Sequence, residues 1–166
     1  MTEPIRGANR VLWMRPYELR ANKAAGRMAF QTNHEVSRTR DSESTITKDG
    51  NIQSLSEVVV DISLTTLLAR EDVVRVALEE AFLNGGLIEF WDIDQTNPIT
   101  PSGNTFPSRY YQGYITEWSE SAGAEDSVEI SLSAAINGKG APGPATLTIE
   151  QQAPITYEFQ DTPAVG

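Results

Sequence analysis

Two stretches of this chain alternate apolar and polar residues with strict period two. Val58, Val60, Ile62 and Leu64 interleave with Glu57, Val59, Asp61 and Ser63. Val128, Ile130, Leu132 and Ala134 interleave with Ser127, Glu129, Ser131 and Ser133. Successive side chains of a strand point to opposite faces, so this pattern demands a sheet buried on one face and wet on the other. The wet sets are unusual for solvated strands, which commonly mix charges. Glu57, Asp61 and Ser63 on one, and Ser127, Glu129, Ser131 and Ser133 on the other, are small or acidic with no Lys or Arg among them.

Other segments support a mainly β fold. Leu87 to Asp92 and Tyr110 to Trp118 are rich in aromatic and β-branched residues and read as strands, as do Arg10 to Met14, Arg27 to Thr32 and Ile155 to Phe159. A single helix is expected over Asp72 to Asn84. There Val74, Ala77, Leu78, Ala81 and Phe82 form one narrow apolar stripe, acids stand at the entry, and Gly85-Gly86 ends it. A one-sided stripe suits a helix flanking a sheet. The segment Glu35 to Gln53 has almost no apolar residue and carries Asp49-Gly50, which predicts a polar hairpin projecting beyond the core. Ile93 to Ser108, with three prolines, reads as a connection, and the end of the chain as flexible. With no repeat and no linker, residues 1–166 form one domain.

Charge is divided along the chain. The net charge is −10, which argues against nonspecific nucleic-acid binding. Residues 1–40 hold eight Lys/Arg and three Asp/Glu, whereas 41–166 hold five and twenty. Opposite charge on two parts of a small chain can steer copies together head to tail, or simply leave a dipolar monomer. The absence of cysteine excludes disulfides and thiolate chemistry. The first residues have no apolar core of a signal peptide, and no apolar run is long enough for a bilayer, so synthesis in the cytoplasm and no membrane insertion are expected.

Candidates for chemistry are thin. His34 is the sole histidine, no Gly-x-Ser-x-Gly elbow accompanies it, and a structural hydrogen bond is its expected role. Asp92, Asp94, Glu125 and Asp126 could attract a hard cation but lack an EF-hand pattern, and read as exposed strand-end acids. Gly138, Gly140 and Gly143 lack the Lys-Ser/Thr of a phosphate loop and read as a flexible turn. No carboxylate pair is singled out for hydrolysis. Tyr110, Tyr114 and Trp118 fall on one strand face, expected to be mostly core; as an alternative, Tyr110, Tyr111 and Trp118 would present a carbohydrate-binding platform on a β-sandwich. No catalytic, cofactor or metal residue is assigned.

Several stretches resemble the major tail proteins of long-tailed, non-contractile phages, of the lactococcal-phage type. They are Gly7 to Tyr17 (GANRVLWMRPY), Ala25-Gly26-Arg27, Ala29 to Thr32 with His34, Arg38, Arg40-Asp41-Ser42, and Thr47 to Gly50. Gln112-Gly113-Tyr114, Trp118 and Ala122 to Asp126 look like a family signature, and Ala145 to Thr148, Glu150-Gln151, Tyr157, Phe159, Asp161 and Thr162 continue it.

The resemblance implies a tail-tube β-sandwich or barrel with one flanking helix and a stacking hairpin at about 35–53. It implies a virion protein rather than an enzyme: hexameric rings, joined through their inner sheets, stack into the tube that conducts DNA during ejection. Its implied partners are copies of itself, a tape-measure protein, tail terminator and distal tail proteins, and passing DNA. On this basis Arg38, Arg40, Asp41, Lys48 and Asp49 are expected to make contacts between rings. Glu57, Asp61, Ser63, Ser127, Glu129, Ser131 and Ser133 are expected to line the lumen, where acid repels phosphate and lets the duplex slide.

Overall fold

The computed structural model describes residues 3–28, 30–70, 72–96 and 105–147. Among these the strands are β1 (Arg10–Pro16), β2 (Gln31–Thr39), β3 (Ser42–Thr47), β4 (Gly50–Leu55), β5 (Val59–Leu67), β6 (Ile88–Asp94), β7 (Thr105–Ser121) and β8 (Glu129–Thr146), with helix α1 (Val73–Asn84). Six strands form one antiparallel sheet in the order β1-β6-β7-β8-β5-β2, and β3 and β4 form a separate hairpin. The hairpin leaves between the end of β2 and the start of β5. β5 finishes beside the start of β8 and leads to α1, which returns the chain to the start of β6 at Ile88, opposite Gly113 in the middle of β7, and β1, paired there through Pro16, runs into a 3-10 turn at Tyr17–Leu19.

The sheet curls so that its two halves bury a common core. Leu12, Met14, Ile88, Phe90 and Tyr111 come from one half; Val60, Ile62, Leu64, Ile130, Leu132 and Ala134 come from the other. These are the apolar members of the alternating stretches, placed on one face by period two. Helix α1 adds fully buried Leu78, with Val74, Ala81 and Phe82 packed beside it, and Phe82 stacks on Trp118 with ring centroids 6.2 Å apart. Asp72 caps the helix by accepting from the Arg75 N–H at 3.2 Å, and Gly85 closes it in the left-handed conformation. The expected helix and its stripe are therefore present.

Several expectations are corrected. The segment Arg27 to Thr32 is not a strand from its start: β2 begins at Gln31, though Met28 is buried in the core. Ile93 to Ser108 is not wholly a connection. β6 runs to Asp94 and β7 starts at Thr105, with Pro107 inside it opposite Pro144 of β8. Gly138 to Gly143 is not a flexible turn but part of β8. Residues Gly138 to Gly140 form an irregularity where Tyr110 pairs with Ala141 and Gln112 with Asn137. Gly140 has φ +79°, and a Cβ there would run into the Tyr111 ring, so this bulge lets the buried tyrosine lie against backbone. A second irregularity between Ile115 and Glu117 reverses the parity of β7. Tyr111, Gly113 and Ile115 face the core before it and Trp118 faces the core after it, while Tyr110 and Tyr114 face outward. The inferred common face of Tyr110, Tyr114 and Trp118 is thus broken by a bulge that no alternation count contains. The strand expected at Ile155 to Phe159 and the flexible end lie outside the described residues.

Candidate assembly surfaces

The wet side of β2, β5, β8 and the second half of β7 is one continuous surface. Its cross-strand rows are Ser37, Asp61, Ala135 and Tyr114; then Glu35, Ser63, Ser133 and Glu117; then Asn33, Thr65, Ser131 and Ser119; and finally Glu129 beside Ser121. Five of the expected lumen residues, Asp61, Ser63, Glu129, Ser131 and Ser133, are brought together here. Glu57 and Ser127 are exposed but precede their strands. The surface also gains Glu35 and Glu117, which sequence reasoning missed. Glu35 falls in the segment expected as the hairpin but belongs to β2, where His34 and Val36 on either side carry the inward alternation. Glu117 was hidden by the bulge beside it. The four strands therefore present Glu35, Asp61, Glu117 and Glu129 outward with no Lys or Arg among them.

This four-stranded region has two open edges. β6 pairs with β7 only as far as Gly113, so residues 114–121 pair with β8 alone. β2 pairs with β5 alone, and on its far side meets β1 through one side chain. The Gln31 amide donates to the Leu12 carbonyl at 2.8 Å and accepts from the Leu12 N–H at 3.2 Å. Open edges with unpaired backbone groups are templates for another strand.

The hairpin β3–β4 turns at Lys48-Asp49. Its turn is held by the Thr47 hydroxyl, which donates to the Gly50 carbonyl at 2.7 Å and accepts from the Asp49 N–H at 3.2 Å. Its root is held by Ser56, whose N–H donates to the Asp41 carbonyl and whose hydroxyl accepts from the Asp41 N–H. The expected stacking segment is shortened: Glu35 to Thr39 belong to the main sheet. Arg38 is accordingly corrected from the hairpin to β2, where its guanidinium donates to the Tyr111 hydroxyl at 2.8 Å. Arg40 and Asp41 stand at the root and Lys48 and Asp49 at the tip. Among the described residues none of these four makes an ion pair.

Where β1 and β2 approach, a cleft of about 700 Å³ is lined by Arg10, Arg27, Gln31, His34 and Arg38. Asp92 is not the exposed strand-end acid expected of it: it is 4% exposed at this seam, bonded to Arg10 and accepting from the His34 Nε2 side at 3.0 Å. Burial raises its carboxyl pKa, but hydrogen bonds from His34 and Arg10 outweigh that and hold it below the ordinary value of 3.8. The histidine has the structural role expected of it. On the outer face Glu89 receives Arg15 at 3.1 Å and the Tyr110 hydroxyl, and burial with that bond raises the tyrosine. Tyr111, at 1% exposure, and Trp118 face inward and Tyr110 outward, so the three make no shared platform. Among the described residues no three His, Asp or Glu side chains converge as a metal site.

The phage tail tube protein family model matches residues 4–141. The chain is 29% identical over 135 residues to the tail tube protein of Bacillus phage SPP1, covering 80% of this chain and 50% of that protein. It thus spans half the length of that relative. A putative tail protein of Staphylococcus phage phiMR25 is 27% identical over 142 residues, covering 83% and 74% of the two chains. Among solved structures, the SPP1 tail tube superposes with a TM-score of 0.77 at 22% identity, covering 96% of this chain and 93% of that one. A subunit of a gene transfer agent tail with sixfold symmetry gives 0.59 at 15% identity, covering 86% and 98%. The fold is thus the tail-tube fold, and with the family model matching most of its length, the chain belongs to the phage tail tube protein family.

Proposed function

We propose that this chain is a structural virion protein that closes into hexameric rings and stacks into a tail tube through which DNA passes. The observation that carries this is the four-stranded surface with two open edges and carboxylates as its only charges. Joining β2 of one copy to residues 114–121 of β7 in the next continues the sheet around a ring and removes both edges. The acidic side then becomes the wall of the lumen. A carboxylate wall repels phosphate, whereas each engaged Lys or Arg would release counterions and hold the duplex. Sixfold closure is supported by the symmetry of the gene transfer agent tail with which the fold superposes.

Stacking falls to the hairpin. A two-stranded ribbon is marginally stable alone, and among the described residues the charges of Arg40, Asp41, Lys48 and Asp49 have no ion-pair partner. A tape-measure protein inside the tube and capping proteins at its ends are the other partners of such an assembly. The test is negative-stain imaging with size analysis across concentration. Rings or tubes with a central channel are expected. A monomer at every concentration, binding oligosaccharide, would instead mark a carbohydrate-binding module and overturn the proposal.

A further inference from the structure

Resting on that stacking role, we infer where the hairpin lands: in the apolar groove between α1 and the Tyr17–Leu19 turn of a copy in the next ring. The hairpin is polar except for a few aliphatic side chains, and these are exposed. Ile46 is 85% exposed, Leu55 62% and Ile52 59%. The register puts Ile46 and Leu55 on one face and Ile52 on the other, so neither face can shelter its apolar residues within the subunit.

The groove is the matching deficit. Helix α1 buries the stripe around Leu78, yet its other side carries Val73 at 68% exposure and Val76 at 49%. These two, with Ala77, Leu19, Pro16 and Leu87, line a groove of about 340 Å³, the lower end of the size of a side-chain or ligand cleft. Its rim carries Glu18, Lys23 and Glu80. The hairpin tip carries Lys48 and Asp49, so both signs on the tip find the opposite sign on the rim.

Topology supplies the third argument. The hairpin is carried by β2 and β5, at one edge of the strand order, whereas the groove lies between α1 and the turn that follows β1, at the other edge. Two complementary surfaces built from different elements make a heterologous contact, which propagates from copy to copy rather than closing as an isologous dimer. The aliphatic side chains of the hairpin are exposed in the subunit, so each added ring buries one set and exposes another.

The chain has no cysteine, so an engineered pair gives an unambiguous readout. Ile46→Cys and Val76→Cys are combined in one chain, assembled, oxidised, and run without reductant. A ladder of disulfide-linked chains is expected, appearing only under assembling conditions and absent from either single variant. In parallel, Val76→Asp should raise the concentration needed for tubes at least tenfold while leaving the circular dichroism of the subunit unchanged. Tubes of normal dimensions that yield no ladder, with Val76→Asp assembling normally, would overturn this contact alone. Failure of the unsubstituted chain to form rings or tubes would overturn the tube assembly itself.

Discussion

The curled sheet and the hairpin treat the same residue types in opposite ways. In the sheet, Asp92 is buried and answered on two sides by Arg10 and His34, Arg38 reaches Tyr111, and Ile62 and Ile88 are fully enclosed. In the hairpin, Asp41 and Lys48 have no ion pair among the described residues, and Ile46 is almost fully exposed. Burying an unanswered charge, or leaving an isoleucine in water, is unfavourable in either place. The difference teaches that the core of the sheet is satisfied within the subunit, whereas the hairpin is the element that the proposed assembly would have to satisfy. Substitutions should therefore separate folding from polymerisation according to region.

The largest effect on folding should come from the core of the sheet. Phe90 is fully buried between β1 and β7. Phe90→Ala should destabilise the free subunit by about 3–5 kcal/mol through lost burial and the cavity left behind. Urea unfolding of the monomer measures it directly. A change below about 1 kcal/mol would mean the two halves of the sheet do not share this core.

The seam between β1 and β2 should come next. Asp92→Asn removes the charge that Arg10 and His34 answer, and a loss of about 2–3 kcal/mol is expected for charge-assisted hydrogen bonds of this kind. The pH dependence has a defined sign. A carboxyl held below 3.8 in the folded state adds stability above its unfolded value, and that contribution is lost as pH falls through the folded one. The native subunit should therefore weaken below about pH 4, and Asp92→Asn should flatten that part of the acid limb. Parallel acid limbs for the two proteins would show that the seam does not titrate with folding.

Much of this comparison is legible in the chain itself. The alternation through Val60, Ile62 and Leu64, and through Ile130, Leu132 and Ala134, fixes a sheet face because inward side chains recur every second residue. The helix from Val73 to Asn84 follows from its stripe, its Asp72 cap and its Gly85 stop. Illegible were the places where two distant strands decide the outcome. The irregularity at Ile115 and Glu117 is a property of the β7–β8 pair, so Trp118 shares the core face with Tyr111 rather than with Tyr114. Gly138 to Gly140 look like a turn locally and become a bulge only because Tyr111 fills the space opposite. Asp92 looks like any surface acid until Arg10 and His34, far away in sequence, arrive beside it. The edges of the four-stranded region, on which the proposed ring closure rests, depend on β6 beginning at Ile88, opposite Gly113 of β7, which no local pattern contains.

At the hairpin, folding and assembly should part. Arg40→Glu should change the stability of the free subunit by less than about 0.5 kcal/mol, as for exposed positions without partners. It should nevertheless impair polymerisation, since it reverses a charge at the root of the stacking element. Hydrogen exchange sharpens the contrast. Residues 42–55 should exchange freely in the monomer and be protected in the tube, whereas β5 and β8 should be protected in both. Equal protection of the hairpin in the two states would remove its stacking role.

The smallest effect on folding, and the most specific on function, is expected on the acidic face. Asp61 and Glu129 are exposed on β5 and β8, on the same side as Glu35 and Glu117, and their cross-strand neighbours are Ser37, Ala135, Leu67 and Ser121. Neither carboxylate holds another element in place, so Asp61→Lys with Glu129→Lys should leave the subunit within about 0.5 kcal/mol of its stability and still build tubes. What changes is the wall. Repeated around each ring and along the tube, the introduced ammonium groups would meet a passing duplex many times, and each contact that releases counterions adds to its retention. Phage carrying both substitutions should eject DNA slowly or incompletely, more so at low salt, where attraction is least screened. Glu125→Lys, in the turn between β7 and β8 rather than on the strands of this face, adds a positive charge outside its four rows and serves as the control. Normal ejection from tubes bearing the paired lysines, at low as well as high salt, would show that this surface faces outer solvent and that the lumen is built from another side of the sheet.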